Sequence, residues 1–408
     1  MNTFFRLMLQ ITETFRNINL DSVVKVLIFL FPLSLLTYKS LGDIVLFFIF
    51  IIGLYELATK KIHLFINKNV LAIAFITLVY FFNIILSIFM SEKGHDLLHF
   101  AARELYFLFA VFIAATINSH RIGLDTMIMS IRLSIVVFGL YIVYQFFSVR
   151  FGQIEWVLSL GASPLIITLF FAISICNVKV KDRFFLLYIS SALALSVIII
   201  SQERMAFLAM LLFSLLFAFV YKDKRIYVYI FAMLVSILAS TDFRDRMVMA
   251  YDSVTEYSVN NNIVNKAKND TYSTTFQRIE MYKSGLQAAK DSIIFGHGYR
   301  NTNEPASEYV SDPVLKEIIS KYNHLHNLFL NTMVYGGVFG MLSLLLLLLV
   351  PTVIFVKQRR ENKDYAYSGI ILISSYCIFG LTGTILGDVF FNSVFVFFLS
   401  FFLAGKPN

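Results

Sequence analysis

Two histidines, His324 and His326, stand two residues apart in the stretch YNHLHNLFLNTMVYGG, directly ahead of a long apolar run. The N-terminal end of a helix carries partial positive charge and unpaired N–H groups. That setting disfavours an imidazolium and leaves a neutral ring able to accept a proton. The same end attracts anions. A neutral base beside an anion site suits acid–base chemistry on a phosphate-bearing substrate. The competing reading is a pair of interfacial histidines that only cap the following helix. A metal pair fits poorly, because residues two apart on a helix point to different sides and no third ligand lies at a recognisable spacing.

Two arginines and a glycine turn are the other chemistry-bearing features. Arg204 lies in SQER, a four-residue link between two apolar runs. A guanidinium so close to hydrocarbon is costly and usually has a partner. It either snorkels to lipid head groups beside Glu203, or it forms a bidentate fork on a diphosphate. Arg278 has the same choice, a solvated helix face or a second clamp. It lies in YSTTFQRIEMYKSGLQAAKDSIIFGHGYRN. There Thr274 and Gln277 make a capping-box pair, and Ile279, Tyr282, Leu286 and Ala289 follow at helical spacing. The expected helix runs from about Thr275 to Lys290. Gly296 and Gly298 then flank His297 in a tight turn where backbone can approach a ligand. Asp312 as cap and Pro313 at the first helical position predict a second short helix ending near Tyr322.

The elements that position these residues are membrane helices. The 408 residues are 58% hydrophobic and only 15% charged, too few charges to coat a soluble globule of this size. Each span needs roughly 20 apolar residues. About twelve are expected, near 23–38, 41–58, 70–90, 103–117, 127–148, 160–176, 184–200, 205–221, 226–240, 327–356, 366–383 and 389–404. The expected fold is an all-α polytopic membrane protein with one large, partly helical loop. Residues 1–240 form an N-terminal membrane domain of about nine spans, 241–325 the loop, and 326–408 a C-terminal membrane domain of about three spans. The first twenty residues do not read as a cleaved signal peptide; Phe4, Met8, Ile11 and Phe15 suit a surface helix or a frayed tail. Cys176 and Cys377 lie in apolar runs and read as small core hydrophobes.

Basic residues assign the sides. Alternate short connections hold 14 Lys or Arg in one set and 5 in the other, so the first set and both termini are expected in the cytoplasm. The long loop then lies outside, with ten Lys or Arg and eleven Asp or Glu. The net charge of +8 therefore sits mainly on the cytoplasmic face, where it sets topology and gives no ground for nucleic-acid binding. No phosphate loop of the Walker type is present, nor a period of 20–50 residues.

Three segments, in order, resemble the O-antigen ligase and O-antigen polymerase superfamily: SQERMAF, FQRIEMYKSGLQAAKDSIIFGHGYRN and HLHNLFLNTMVYGGVFG. They cover roughly residues 195–345. The resemblance implies a metal-independent glycosyltransferase of the bacterial inner membrane with its active site in the periplasm and no cofactor. It would move a glycan from undecaprenyl diphosphate to an acceptor hydroxyl. It casts His326, of the His-Asn pair with Asn327, as the base, and Arg204 and Arg278 as the groups that hold the departing diphosphate. His324, Asn327, Gly296, Gly298 and Arg300 would contact or shape the substrate site. One departure is Glu203, where the family often has Ser or Thr; a carboxylate there weakens the attraction of Arg204 for a diphosphate. A ligase using lipid A–core as acceptor is the first expectation, and a polymerase joining carrier-linked repeat units the second. A multi-span transporter or flippase is the third, against which stand the absence of a clear inverted repeat and the concentration of candidate residues on one face.

Overall fold

The computed structural model describes residues 19–38, 40–59, 67–91, 97–120, 122–148, 162–177, 184–221, 224–239, scattered positions between 241 and 255, 270–300 and 302–404. The expected N-terminal surface helix lies outside these residues. Among them the protein is all helix, with no strand. The helices are α1 (Leu20–Thr37), α2 (Leu41–Ala58), α3 (Lys68–Phe89), α4 (Leu97–His120), α5 (Leu124–Ser148), α6 (Ala162–Cys176), α7 (Phe184–Ser201), α8 (Arg204–Tyr221) and α9 (Lys224–Ala239). The loop contributes α10 (Asp270–Asp291), α11 (Asn303–Ser307) and α12 (Pro313–Ser320), and the chain closes with α13 (Leu328–Gln358), α14 (Lys363–Gly380) and α15 (Val389–Ala404).

Each of the twelve apolar segments is therefore helical. Six helices, α1 to α5 and α13, are long and apolar enough to cross a membrane, and shorter apolar helices accompany them. Their outward faces stay greasy: Phe75, Phe82 and Phe89 on α3 and Phe339, Leu342, Leu346, Leu349 and Val353 on α13 are exposed. Hydrocarbon solvates such stripes at no cost, whereas water does not. The Phe content is not only a matter of lipid exposure. Helix α15 is buried along its length from Phe390 to Ala404. It packs against α4, α14, α3 and α2, with Phe31 of α1 stacked on Phe397 at 3.9 Å between ring centroids.

Hydrogen bonds tie helix ends into two levels. At one end, Asn67 donates to Asn118 (2.7 Å), Asn69 to the Leu403 carbonyl (2.8 Å), Tyr365 to the Ile122 carbonyl (3.1 Å) and Asn177 to Ser368 (2.9 Å). At the other, Tyr299 N–H donates to the Ser87 carbonyl (2.9 Å), Asn392 to Glu104 (2.9 Å) and Asn327 to the Leu381 carbonyl (3.2 Å). The helices thus alternate in direction, and α10 to α12 gather at the second, the loop end. These loop helices own a small core: Met281, Ala288, Ala306, Leu315, Ile319 and Leu325 are buried together.

One expectation is corrected. The loop helix starts at Asp270, so Thr274 lies inside it and not at its start. Gln277 instead accepts a bond from the Tyr322 hydroxyl at 2.7 Å. Met281, Gly285 and Ala288 of this helix face the loop core, while Leu286 is 57% exposed. The Asp312 cap stands, its side chain accepting from Leu315 N–H at 2.8 Å with Pro313 at the first helical position.

Candidate functional site

The site is built where α10 crosses the approach to α13. Asn327 is the N-cap of α13: its side-chain oxygen accepts from Leu330 N–H (2.9 Å) while its amide donates to the Leu381 carbonyl beyond α14 (3.2 Å). One residue thus satisfies an orphan donor of the helix start and ties α13 to the end of α14. Tyr282 of α10 donates to the His326 carbonyl (3.0 Å) and lies within 3.3 Å of the same Leu381 carbonyl. Asn331 accepts from Leu325 N–H (3.1 Å), and Asn303 donates to the His324 carbonyl (3.3 Å). The carbonyls of His324, His326 and Asn327 and the N–H of Leu325 are thus all engaged.

That anchoring supports an unusual backbone. His326 has φ 51, in the left-handed region. Side chains with a Cβ are uncommon there, and the conformation costs about 1–3 kcal/mol. Among the described residues three non-glycines share it: His326, Arg300 and Gln202. Each lies in one of the three segments picked out for their chemistry, HLHN, GHGYRN and SQER. Such conformations persist where surrounding contacts over-determine them, and they cluster at functional sites.

The two imidazoles meet edge to face, ring centroids 4.3 Å apart, and Tyr322 stands 5.5 Å from His326. The His326 N–H donates to Nδ1 of His324 at 3.3 Å. Burial, reinforced by His324 and the Arg278 guanidinium, pushes the His326 imidazole down to about 3. His324 is lowered too, first by burial and then by Arg300 and Arg278. Both rings are therefore neutral at pH 7, and two guanidiniums, Arg278 and Arg300, act on the same pair. A compact cluster with two cations and two neutral bases can receive an anion and a proton.

The glycine turn is packed closely on its neighbours. Its backbone approaches protein: His297 and Gly298 N–H donate to the carbonyls of Val334 (2.8 Å) and Tyr335 (3.0 Å). A Cβ on Gly298, whose φ is +93, would stand 2.6 Å from Cα of Ser91, and one on Gly296 would strike the Tyr335–Gly336 peptide. Both glycines let the turn dock on α13 and the end of α3, which brings Arg300 within electrostatic reach of His324.

Arg204 opens α8 at the same end, on another helix. Thr168 in the first half of α6 lies 3.3 Å from the Ala206 carbonyl, while the far end of α6 bonds Ser368 of α14 through Asn177. Helix α8 packs on α6, α7, α9 and α14. The groups acting on the histidines are Arg278 and Arg300.

Sequence reasoning missed Glu104, Tyr299 and Tyr282. Glu104, 0% exposed, accepts from the Tyr299 hydroxyl (2.5 Å) and from Asn392 (2.9 Å), locking the turn to α4 and α15. A glutamate inside an apolar run, in AARELYF, was the available signal. No group of three or more His, Cys, Asp or Glu suited to a metal occurs among the described residues.

A Haemophilus influenzae protein, itself described as an uncharacterized protein, is 23% identical over 410 residues, covering 93% of this chain and 98% of the relative. Residues 189–345, which run from within α7 to just past the glycine pair in α13 and include every candidate site residue, match the model of the O-antigen ligase family.

Proposed function

We propose that the chain is an O-antigen ligase: it moves O-antigen from undecaprenyl diphosphate to a sugar hydroxyl of lipid A–core, on the periplasmic side of the inner membrane. The observation that carries this reading is the convergence of His324, His326, Arg278 and Arg300 at the loop end, inside the region that matches the ligase family. The twelve apolar helices act as spans, with both termini in the cytoplasm. Residues 1–240 and 326–408 make the membrane body and 241–325 the periplasmic loop.

Arg278 and Arg300 grip the diphosphate, whose polyprenyl tail stays in lipid. Preorganised cations stabilise the charge that develops on the leaving oxygen. His326 takes the proton of the acceptor hydroxyl as that oxygen attacks the sugar carbon, and the carbon–diphosphate bond breaks. A base held near 3 is neutral but draws protons weakly. The bound diphosphate offsets the charge of Arg278, one of the causes of that depression, so donor binding raises the basicity of His326. His324 keeps the second face of the pocket, and Asn327 holds the pair at the head of α13. Arg204 adds a cation to the same rim.

The test is His326→Ala in a strain that displays O-antigen. A ligase defect leaves long polymer on the carrier and unmodified core; wild-type ladders remove His326 from the mechanism. A polymerase is the second reading, because the acceptor then differs only in carrying its own lipid diphosphate. It predicts core bearing a single repeat unit.

A further inference from the structure

The turn after α10 leaves three successive apolar side chains open: Ile293, Ile294 and Phe295 are 52%, 54% and 44% exposed. Water penalises such a tip. Its backbone is closed all the same. Gly296 N–H donates to the Ser292 carbonyl (2.9 Å), the Ser292 hydroxyl to the Gly296 carbonyl (2.7 Å), and Val338 N–H to the Ile293 carbonyl (2.8 Å). Apolar side chains on internally paired backbone are what hydrocarbon demands.

The seat of the turn fits that solvent. Helix α13 has 31 residues, about 46 Å at ~1.5 Å per residue, against a hydrocarbon core of about 30 Å. It is broken at Gly337, where φ is 58 and ψ −150. The part from Val338 to Gln358 spans about 31 Å, enough to cross alone, so the break marks the hydrocarbon boundary. The turn docks on that break, with the Ile294 carbonyl directly against Gly337. Phe295 stacks on Phe339 at 5.5 Å and 21°, continuing the outward stripe of Phe339, Leu342 and Leu346.

We propose that Ile293, Ile294 and Phe295 form a wedge seated in the bilayer, with lipid acyl chains as its partner, which moors the loop carrying Arg300 at the lipid surface. The inference rests on the reading of α13 as a span and not on the transfer reaction. Continuity with the exposed stripe of α13 selects acyl chains as the occupant.

The experiment uses the full chain with Cys176→Ala and Cys377→Ala in phosphatidylcholine vesicles, carrying a spin label at Ile294→Cys. Reference labels sit at Leu342→Cys on the outward stripe and at Lys283→Cys, a side chain 69% exposed. The label at 294 is expected to relax more with oxygen than with a water-soluble nickel complex, as at 342. Behaviour like that at 283 overturns the proposal. So does shielding from both reagents, which would mean a second copy or another segment covers the turn. As a second variant, Phe295→Trp is made with Trp156→Phe, which removes the single natural tryptophan. Brominated acyl chains should quench its emission; unquenched emission overturns the wedge. Neither readout needs glycan transfer, so failure here is distinct from failure of the ligase reading.

Discussion

The two ends of the bundle each hold histidine among charges, and they treat it in opposite ways. At the end away from the loop, His120 lies between two carboxylates: Nδ1 is 3.1 Å from Asp21 and Nε2 2.8 Å from Glu56. Serving both takes two N–H donors, which only the imidazolium has. The ring is a staple joining α1, α2 and α4. At the loop end, burial, the neighbouring His324 and the Arg278 guanidinium act on His326, and it sits on strained backbone. There the ring is neutral and able to accept a proton. Both rings are half-buried, and the sign of their neighbours separates the charged one from the neutral one.

This contrast breaks first under His326→Ala. Loss of a positioned base should lower transfer about 10²–10⁴-fold with unchanged thermal stability, read on purified protein with polymer-loaded carrier. A change confined to stability would make the two ends alike. Next is His120→Ala, which strands Glu56, 3% exposed, beside a lost partner. Removing one member of a buried pair costs about 3–5 kcal/mol, seen as a lower melting temperature, while the folded fraction keeps its turnover. Arg278→Lys keeps charge but loses the fork, so transfer should fall about 10–100-fold, the weight of a lost charged hydrogen bond of roughly 1.5–3 kcal/mol; Arg204→Lys, a helix away from the pair, should cost less. A further effect is on pH. Folded His326 stays unprotonated down to about 3, against 6.5 for the free group. Between those values the unfolded chain binds more protons, so this histidine's linkage contribution to stability is full above pH 6.5 and is lost as pH falls toward 3. Protection factors of the amides over residues 322–327, taken relative to intrinsic exchange at each pH, should fall below pH 6.5, and His326→Ala should flatten that dependence.

Much of the fold was legible because hydropathy alone marks runs that must become helices in lipid. All twelve runs are helices, and the Asp312–Pro313 start stands where cap chemistry predicted it. The start of α10 was misread because Thr274 and Gln277 have the same spacing inside a helix as at its cap, and residue types cannot separate the two. The site was half legible. Histidines, arginines and glycines announce chemistry by type. Their convergence depends on contacts between distant residues, such as Tyr282 with Leu381 and Tyr299 with Glu104, 99 and 195 positions apart. The left-handed backbone of His326 and Arg300 is likewise written in the surrounding contacts and not in the residues.

The central claim is that the imidazole at 326, beside the Arg278 guanidinium, carries glycan transfer. It is tested most directly with purified protein, carrier loaded with O-antigen polymer, and lipid A–core in one vesicle, comparing wild type with His326→Ala. The account predicts polymer on the core in the first case and polymer retained on the carrier in the second, with both proteins folded. Equal transfer by the two would contradict it.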